Sequence, residues 1–244
     1  MKRYVLTIQY DGTNYCGWQS QKNGESVQQV LVRALKTIAV GEVKLVGSGR
    51  TDAGVHAEAQ VAHVDMETSV PAKKISLAVN AKLPDDVRVL SSKEAGEGFH
   101  ARYSAKKKTY LYSVYVADTV LPLKDRYSLR IDKLPDIEKM KEGAKVVVGK
   151  HDFRCFLASG SSVVDTVREI YSIDIIQKGE EIVFLVCGSG FLYNMVRIIV
   201  GTLLDIGYGK KKVEDLAQAI EEKNRKLCGK TVSAKGLRLH SVEY

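Results

Sequence analysis

The sequence predicts an α+β fold made of two similar halves, each an α/β-sandwich-like arrangement with an antiparallel or mixed sheet. Segments rich in strand-forming residues alternate with segments whose apolar residues recur at helical spacing, and this mixture occurs twice along the chain. The length of 244 residues exceeds the roughly 100 to 200 residues of an ordinary domain. Pattern and length together therefore favour two compact halves.

The first predicted half opens with a strand and continues into a capped helix. Residues 2–10 are rich in strand formers and end at Asp11-Gly12, which is typical of a turn. Ser26 precedes apolar residues at helical spacing, so we expect it to cap a helix that Gly41 can end. The remaining predictions for this half are strands at 43–47, 55–66 and 87–91 and a helix at 71–83.

The second predicted half repeats the same mixture of strands and helices. A long strand is expected at 108–116, and two strands are expected to pair around the turn Lys178-Gly179. The predicted ranges are helices at 135–148, 191–206 and 213–222 and strands at 167–177 and 181–187. The pattern is interrupted between Ala105 and Pro135, so we divide the chain into halves at 1–105 and 106–244.

Composition narrows the class of protein. Hydrophobic residues make up 45% and charged residues 27%, which argues against a disordered chain. No stretch approaches the roughly 18 apolar residues of a membrane span, and the N-terminus lacks the apolar core of a secretory signal. We therefore expect a cytoplasmic protein without a membrane partner.

The charge balance favours a polyanionic partner. Lysine and arginine number 37 against 29 acidic residues, a formal net charge of +8. Such a field raises the local concentration of phosphate groups, although many basic proteins bind no nucleic acid.

Cysteine and histidine patterns do not indicate a metal site. The four cysteines contain no C-x-x-C pair, so free buried thiols are expected rather than a zinc site or a disulfide framework. The five histidines show no H-E-x-x-H or other close ligand spacing. Metal catalysis is therefore not predicted.

A glycine-rich loop between two predicted strands is the first candidate site. Glycines at 47, 49 and 54 surround the polar run Arg50-Thr51-Asp52. Glycine permits positive φ and close backbone approach, so the loop could present Arg50 to a phosphate and hold Asp52 at the base of a cleft. A tight turn with a capping aspartate explains the same residues. The loop matches neither a Walker A motif nor a dinucleotide fingerprint.

Arg197 is the second candidate, because it is the only basic residue in the apolar segment 191–206. Apolar side chains surround nearly the whole circumference of that predicted helix, so the helix should be buried. A buried guanidinium costs several kcal/mol unless acceptors satisfy it, which predicts an anionic partner. A structural salt bridge, or a side chain that reaches the surface, is the alternative.

Tyrosines beside lysines form the third candidate. Tyr110 and Tyr112 share one face of the strand that follows Lys106-Lys107-Lys108. A tyrosine ring can stack on an unstacked base, and lysines can follow the phosphates. Core packing for the tyrosines and a solvated face for the lysines are the alternatives.

Five stretches of the sequence together resemble the tRNA pseudouridine synthase A family. They are residues 10–19 (YDGTNYCGWQ), 49–57 (GRTDAGVHA), 99–105 (FHARYSA), 151–153 (HDF) and 190–197 (GFLYNMVR). The stretches occur in the family's order and span nearly the entire chain, and the nine-residue run is highly specific to the family.

The resemblance implies an enzyme that isomerises uridine to pseudouridine at positions 38–40 of the tRNA anticodon stem-loop. It implies that Asp52 is the essential carboxylate, that Tyr110 packs against the target base, and that Arg197 pairs with Asp52 across a central basic cleft. It also implies a homodimer, with tRNA as the partner and no cofactor.

Other residues are expected to contact the RNA rather than to carry the chemistry. A target uridine in a stem must be flipped outward at a cost of a few kcal/mol, and phosphate contacts can compensate. The candidates are Arg50, His56, Arg102, Lys106, Lys107 and Lys108, followed by Arg154 and Arg168.

Three departures from the family pattern and two competing functions stay open. Residues 231–235 stand where the family has Ala-Pro, Arg154-Cys155 replace smaller residues, and Tyr193-Asn194 replace paired histidines. The competing functions are a non-catalytic RNA-binding module and a glycosidase that releases the base. The sequence also leaves open whether Asp52 attacks C1′ or removes a ribose proton.

Overall fold

A computed structural model describes residues 1–21, 24–160 and 163–244, which form two compact units. The first unit comprises Met1–Lys106 together with Arg238–Tyr244, and the second comprises Lys107–Leu237. Helices and paired strands occur in both units, so the predicted α+β class is confirmed. Within the described ranges, no helix is long and apolar enough to cross a membrane.

The first unit is built around a central strand, β3. Its elements are β1 (Lys2–Tyr10), α1 (Val27–Lys36), β2 (Val40–Gly47), β3 (His56–Glu67), α2 (Ile75–Asn80) and β4 (Val87–Glu94). Strand β3 pairs antiparallel with both β1 and β2, and β1 pairs antiparallel with β4. Buried side chains of β1, β3 and α1 form much of this unit's core.

Helix α1 begins as predicted and ends earlier than predicted. Ser26 and Gln29 form a reciprocal capping box, which satisfies two backbone donors of the first turn. Thr37 caps the C-terminus, so the prediction that Gly41 ends the helix is wrong. Gly41 instead lies in β2 with φ +77°. The single helix predicted at 71–83 is a 3₁₀ turn, Ala72–Lys74, followed by the short α2.

The second unit has an antiparallel succession of strands in the order β5, β9, β8, β7, with β6 parallel to β5. Its elements are β5 (Lys107–Val116), α3 (Pro122–Asp125), β6 (Leu129–Ile131), α4 (Ile137–Val147), β7 (Gly149–Asp152), β8 (Val167–Lys178), β9 (Glu181–Gly188), α5 (Met195–Gly207) and α6 (Val213–Glu221). The short elements α3, β6 and β7 have no counterpart in the sequence prediction.

Helix α5 is buried around most of its circumference, as its composition predicts. It packs on α4, where a Cβ added at Gly143 would lie 3.0 Å from Ile206 and 3.1 Å from Leu203. The helix begins at Met195 rather than at residue 191, because Asn194 adopts a left-handed conformation that interrupts the helical hydrogen-bond pattern.

The last strand of the chain, β10 (Leu237–Glu243), lies beside the first residues of β3. It pairs parallel with β3, with Arg238 opposite His56 and Leu239 opposite Ala57. The sequence predicted no element in this tail and assigned it to the second half. The pairing places most of the strand in the first unit.

Candidate functional site

Residues 48–55 link β2 to β3 and carry Asp52. The start of this loop is attached to β3 by Ser48 and Gln60, both of which are buried. The Ser48 hydroxyl donates to Oε1 of Gln60 at 2.6 Å, and Nε2 of Gln60 donates to the Gly49 carbonyl at 3.0 Å. These bonds fix the loop backbone before it reaches Asp52.

The backbone on both sides of Asp52 is also held. The Tyr10 hydroxyl and Oγ1 of Thr51 lie 2.7 Å apart, and the Thr51 carbonyl accepts the Trp18 N–H at 3.0 Å. The Asp52 carbonyl accepts the Val55 N–H at 3.1 Å, which closes a turn. A tight turn, which was the alternative explanation for these residues, is therefore present. The Asp52 side chain is half-buried within this supported loop.

Two glycines let residues 10–19 pack against the loop. Gly17 has φ +107°, and a Cβ there would lie 2.5 Å from the Thr51 carbonyl oxygen. A Cβ at Gly12 would lie 2.0 Å from the Val55 carbonyl oxygen. Any larger residue at either position would force the two segments apart, so the glycines belong to the framework that positions Asp52.

His56 and Arg50, both predicted RNA contacts, occupy different environments. His56 is buried, and its Nδ1 accepts the Gly12 N–H at 2.9 Å and lies 3.0 Å from Asp11 Oδ1. These contacts give it a structural task in this unit. Arg50 is exposed, and its Nε donates to Gln19 Oε1 at 3.2 Å. Contact of either residue with RNA stays a prediction.

The remaining basic candidates lie mainly on the surfaces of their units. Arg102, Lys106, Lys107 and Arg154 are exposed, whereas Lys108 and Arg168 are half-buried. The Lys107 ammonium lies 5.9 Å from the centroid of the Tyr171 ring within the second unit. Exposure is compatible with phosphate contacts, and the contacts themselves stay predictions.

Arg197 lies in the first turn of α5, where its guanidinium is oriented by two neutral oxygens of the second unit. Its Nε donates to the Val232 carbonyl at 2.7 Å, and one terminal nitrogen donates to Oδ1 of Asn194 at 2.5 Å. Asn194 adopts φ +60°, which this residue type tolerates better than most. Neither acceptor was predicted from the sequence.

Tyr110 and Tyr112 have distinct positions on β5. Tyr110 is 8% exposed, and its ring meets Phe191 edge-on, with centroids 5.1 Å apart. Tyr112 is fully buried and donates its hydroxyl to the Ser233 carbonyl at 2.8 Å. Burial raises the pKa of Tyr112. Core packing therefore explains Tyr112, while contact between Tyr110 and a base stays a prediction.

Residues 231–235, which depart from the family pattern, serve the unit through their backbone. They supply the carbonyls of Val232 and Ser233 to Arg197 and Tyr112. Just before them, a Cβ at Gly201 would lie 2.0 Å from the Lys230 carbonyl oxygen, so α5 and this segment are in close contact. Because any residue offers a carbonyl, the departure in side chains leaves both hydrogen bonds intact.

All four cysteines are free thiols. The predicted burial is confirmed for Cys155 and Cys228 and is wrong for Cys16 and Cys187, which are half-buried. Among the residues that the structure describes, no group of three or more histidine, cysteine or acidic side chains is arranged to hold a metal ion.

Comparisons with known proteins give a consistent result. A family model described as tRNA pseudouridine synthase matches residues 6–104 and 144–244. The tRNA pseudouridine synthase A 2 of Clostridium perfringens is 43% identical over 244 residues, and the tRNA pseudouridine synthase A of Thermoanaerobacter sp. is 43% identical over 245 residues. Each alignment covers 100% of both chains.

Similarity to solved structures is more distant. A crystal structure of a Cbf5-Nop10-Gar1 complex contains a chain that is 16% identical, with a TM-score of 0.40. The alignment covers 97% of this chain and 48% of that chain.

Proposed function

Because the chain belongs to the tRNA pseudouridine synthase family, we propose that it isomerises uridine to pseudouridine in the anticodon stem-loop of tRNA, at positions 38–40. The observation that carries this proposal is the full-length match: 43% identity extends over 100% of the chain. Both the Asp52 loop and helix α5 fall within the residues that the family model matches.

The reaction rearranges the substrate without changing its oxidation state. The N1–C1′ bond breaks, the uracil turns, and a bond forms between C5 and C1′. C5 loses its proton to solvent and N1 takes one up, so the product is an isomer of the substrate. The protein must start this exchange, retain the detached uracil and keep out water that would hydrolyse the sugar. No cofactor is required by this balance, and we propose none.

We assign Asp52 as the carboxylate that starts the exchange. It acts either by attacking C1′ or by removing a ribose proton. The support is the framework around it. Gln60 donates to the Gly49 carbonyl, side-chain hydrogen bonds join Ser48 to Gln60 and Tyr10 to Thr51, and Asp52 is half-buried. A reacting group held in one geometry lowers the entropic part of the barrier.

Arg197 and Tyr110 complete the proposed site. We propose that Arg197 pairs with Asp52, since a nearby cation favours the charged form of a carboxylate. Its two neutral acceptors, Val232 O and Asn194 Oδ1, would preset the direction of the guanidinium. Tyr110, supported by Phe191, would form the wall against which the flipped uracil packs.

The RNA is proposed to bind through phosphate contacts from Arg50, His56, Arg102 and Lys106–Lys108, with Arg154 and Arg168 as further candidates. The net charge of +8 supports such a footprint. We also propose that the enzyme works as a homodimer in the cytoplasm, with a basic cleft between its two α+β units.

The decisive experiment measures tritium release from tRNA that carries 5-tritiated uridine, because joining C5 to C1′ must expel that label. Asp52→Asn should abolish release and still bind tRNA, since the amide keeps the side chain's size and removes only its charge. Asp85→Asn is the matched control, because Asp85 is a fully exposed carboxylate paired with Arg88.

Each other outcome of this experiment contradicts the proposal. Unchanged release by Asp52→Asn would remove Asp52 from the mechanism. Free uracil among the wild-type products would indicate a glycosidase. Tight tRNA binding by the wild type without any release would indicate a binding module.

A further inference from the structure

We propose that residues 99–106 of the first unit form a stacking platform for one unpaired nucleotide of the substrate RNA, with Tyr103 under the base and Arg102 at its phosphate. This proposal rests on the proposed function and adds a substrate contact to it. Tyr103 was not among the residues predicted from the sequence, although its neighbour Arg102 was.

The Tyr103 ring is exposed to an extent that is unusual for an aromatic side chain. Its exposed fraction is 77%, the largest among the tyrosines of the described residues. Single exposed apolar side chains are common on protein surfaces, so exposure alone assigns no ligand to Tyr103. Exposure leaves the ring accessible, and the neighbouring rings and charges indicate which ligand it fits.

Two histidine rings, His100 and His63, pack in succession between Tyr103 and the core of the unit. The His100 ring lies 4.3 Å from the Tyr103 ring with an angle of 31° between their planes. The centroid of the buried His63 ring lies 4.6 Å from that of His100. The two histidine rings connect Tyr103 to the core of the unit and leave most of the Tyr103 surface open.

Hydrogen bonds fix the loop that carries the ring. Nδ1 of His100 accepts the backbone N–H groups of both Arg102 and Tyr103, at 3.1 and 3.2 Å. Ser104 bonds back to His100 twice, through its hydroxyl at 3.0 Å and its N–H at 2.9 Å. Nδ1 of His63 accepts the Ala101 N–H at 3.1 Å. A platform that is already ordered loses little conformational entropy when a base binds.

Charge around the ring favours a nucleotide over an uncharged ligand. The Arg102 guanidinium carbon lies 5.8 Å from the centre of the Tyr103 ring, and both Arg102 and Lys106 are exposed. The segment 99–106 contains no acidic residue. Any of the four bases can stack on an aromatic ring, and nearby cations can contact the phosphates of the same nucleotide. Bases inside a stem have no free face, so the occupant must be unpaired.

The chain contains a matched control for this arrangement. Arg126 and Tyr127 in the second unit repeat the same pair, with the guanidinium carbon 5.9 Å from the ring centre. Tyr127 is less exposed, at 42%. The nine residues on either side of it hold four acidic and four basic side chains, against two acidic and four basic side chains around Tyr103. Acidic neighbours oppose phosphate binding, so Tyr127 should not contribute.

The test compares Tyr103→Ala, Tyr103→Phe and Tyr127→Ala with the wild type. Dissociation constants are measured for tRNA, for a short single-stranded RNA and for a duplex RNA with the same number of phosphates. Loss of one stacked base should weaken tRNA and single-strand binding by roughly 5- to 150-fold in Tyr103→Ala. Tyr103→Phe and Tyr127→Ala should bind like the wild type, and duplex binding should not change in any variant.

Other results overturn the platform. The platform is excluded if Tyr103→Ala binds single-stranded RNA with wild-type affinity. It is also excluded if Tyr127→Ala loses as much affinity as Tyr103→Ala, or if Tyr103→Ala loses as much affinity for duplex RNA as for single strands. Thermal unfolding of each variant shows whether it is folded, and the exposed ring makes a folding defect unexpected. Failure of the platform can be distinguished from failure of the proposed function. RNA affinity tests the platform, whereas tritium release tests the proposed function.

Discussion

The Tyr10 hydroxyl and Oγ1 of Thr51 are 2.7 Å apart in the interior of the first unit, one residue before Asp52. Both residues are buried, and burial raises the pKa of the Tyr10 phenol, which therefore stays protonated at ordinary pH. The bond ties the last residues of β1 to the loop that carries the proposed catalytic carboxylate.

Tyr10→Phe should lower both stability and turnover. It leaves Oγ1 of Thr51 without this partner, so the free energy of unfolding should fall by about 1–3 kcal/mol. The loop is also less well fixed, and misplacement of a reacting group by about 1 Å can reduce the rate on the order of 100-fold. Urea unfolding and tritium-release kinetics measure the two effects.

A control for this variant lies on the same strand. Tyr4 is buried and pairs with Val64 near the far end of β3, whereas Tyr10 pairs with Ala57 beside the Asp52 loop. Tyr4→Phe should therefore leave kcat near the wild-type value. If Tyr10→Phe keeps the wild-type kcat, the hydrogen bond supports folding only and does not position Asp52.

Asn194→Gly should fold with little loss of stability but should have a lower kcat than the wild type. Alanine in its left-handed conformation costs roughly 1–2 kcal/mol, a strain that glycine avoids. Asn194→Ala should therefore be less stable than Asn194→Gly in urea unfolding. Both variants remove the oxygen that accepts from Arg197, so both should lower kcat.

Lys223 separates these two effects, because it is the other non-glycine residue with positive φ among those described. Lys223→Gly should change stability without changing kcat. Equal kcat for Asn194→Gly and the wild type would show that the Asn194 oxygen does not help to place the guanidinium.

Arg197→Met should lose activity, and Arg197→Lys should recover little of it. The guanidinium reaches Val232 O and Asn194 Oδ1 with two different nitrogens, and an ammonium on a flexible stem cannot reproduce that planar fork. Single-turnover tritium release on saturating tRNA measures the chemical step. Full activity of Arg197→Met would refute the proposed pairing with Asp52.

The sequence predicts elements that depend on local signals better than elements that depend on tertiary pairing. Ser26 and Gln29 are three residues apart, so the start of α1 is visible in the sequence. Strands β6 and β7 have only three and four residues, and β10 is ordered by pairing with β3, which is far away in the chain. No periodicity reveals such strands.

In the candidate site, too, features set by local sequence signals are predicted and features set by tertiary contacts are not. The Asp52 loop and the buried helix around Arg197 follow from glycine spacing and apolar composition. The acceptors of Arg197 do not, because Val232 contributes a backbone carbonyl and Asn194 depends on an unusual φ. The open ring of Tyr103 is also hidden in the sequence, since exposure is a property of the folded loop.

Tyr110→Phe should keep most of the activity, whereas Tyr110→Ala should lose it. The phenylalanine ring preserves both the edge-on contact with Phe191 and the wall offered to a base. Alanine opens a cavity at a residue that is 8% exposed, so about 3–5 kcal/mol of stability should also be lost. Steady-state kinetics below the unfolding temperature of the variant separate the two losses. Normal turnover by Tyr110→Ala would exclude the stacking role.

His63 should make the first unit less stable in mildly acidic solution. Burial, followed by the charges of Arg3 and His100, lowers its pKa from 6.5 to about 4, while Asp65 opposes the shift. The ring is 2% exposed, and its Nδ1 accepts the Ala101 N–H. The native state therefore holds His63 neutral at a pH where the unfolded chain already binds a proton.

The sign of the effect follows from that difference in proton binding. Stability contributed by neutral His63 is fully present above pH 6.5 and is lost as the pH falls toward 4. Between about pH 7 and pH 5 the loss should reach up to about 2 kcal/mol in urea unfolding. The lowered pKa of Asp65, due mainly to its hydrogen bond with Arg3, acts at lower pH and does not interfere.

His63→Asn provides the comparison, because its side-chain oxygen can accept the Ala101 N–H without titrating. This variant should lose less stability than the wild type over the same pH range. If both proteins lose the same amount, His63 is not the group responsible, and the neutral ring beneath His100 does not contribute to the acid sensitivity of the unit.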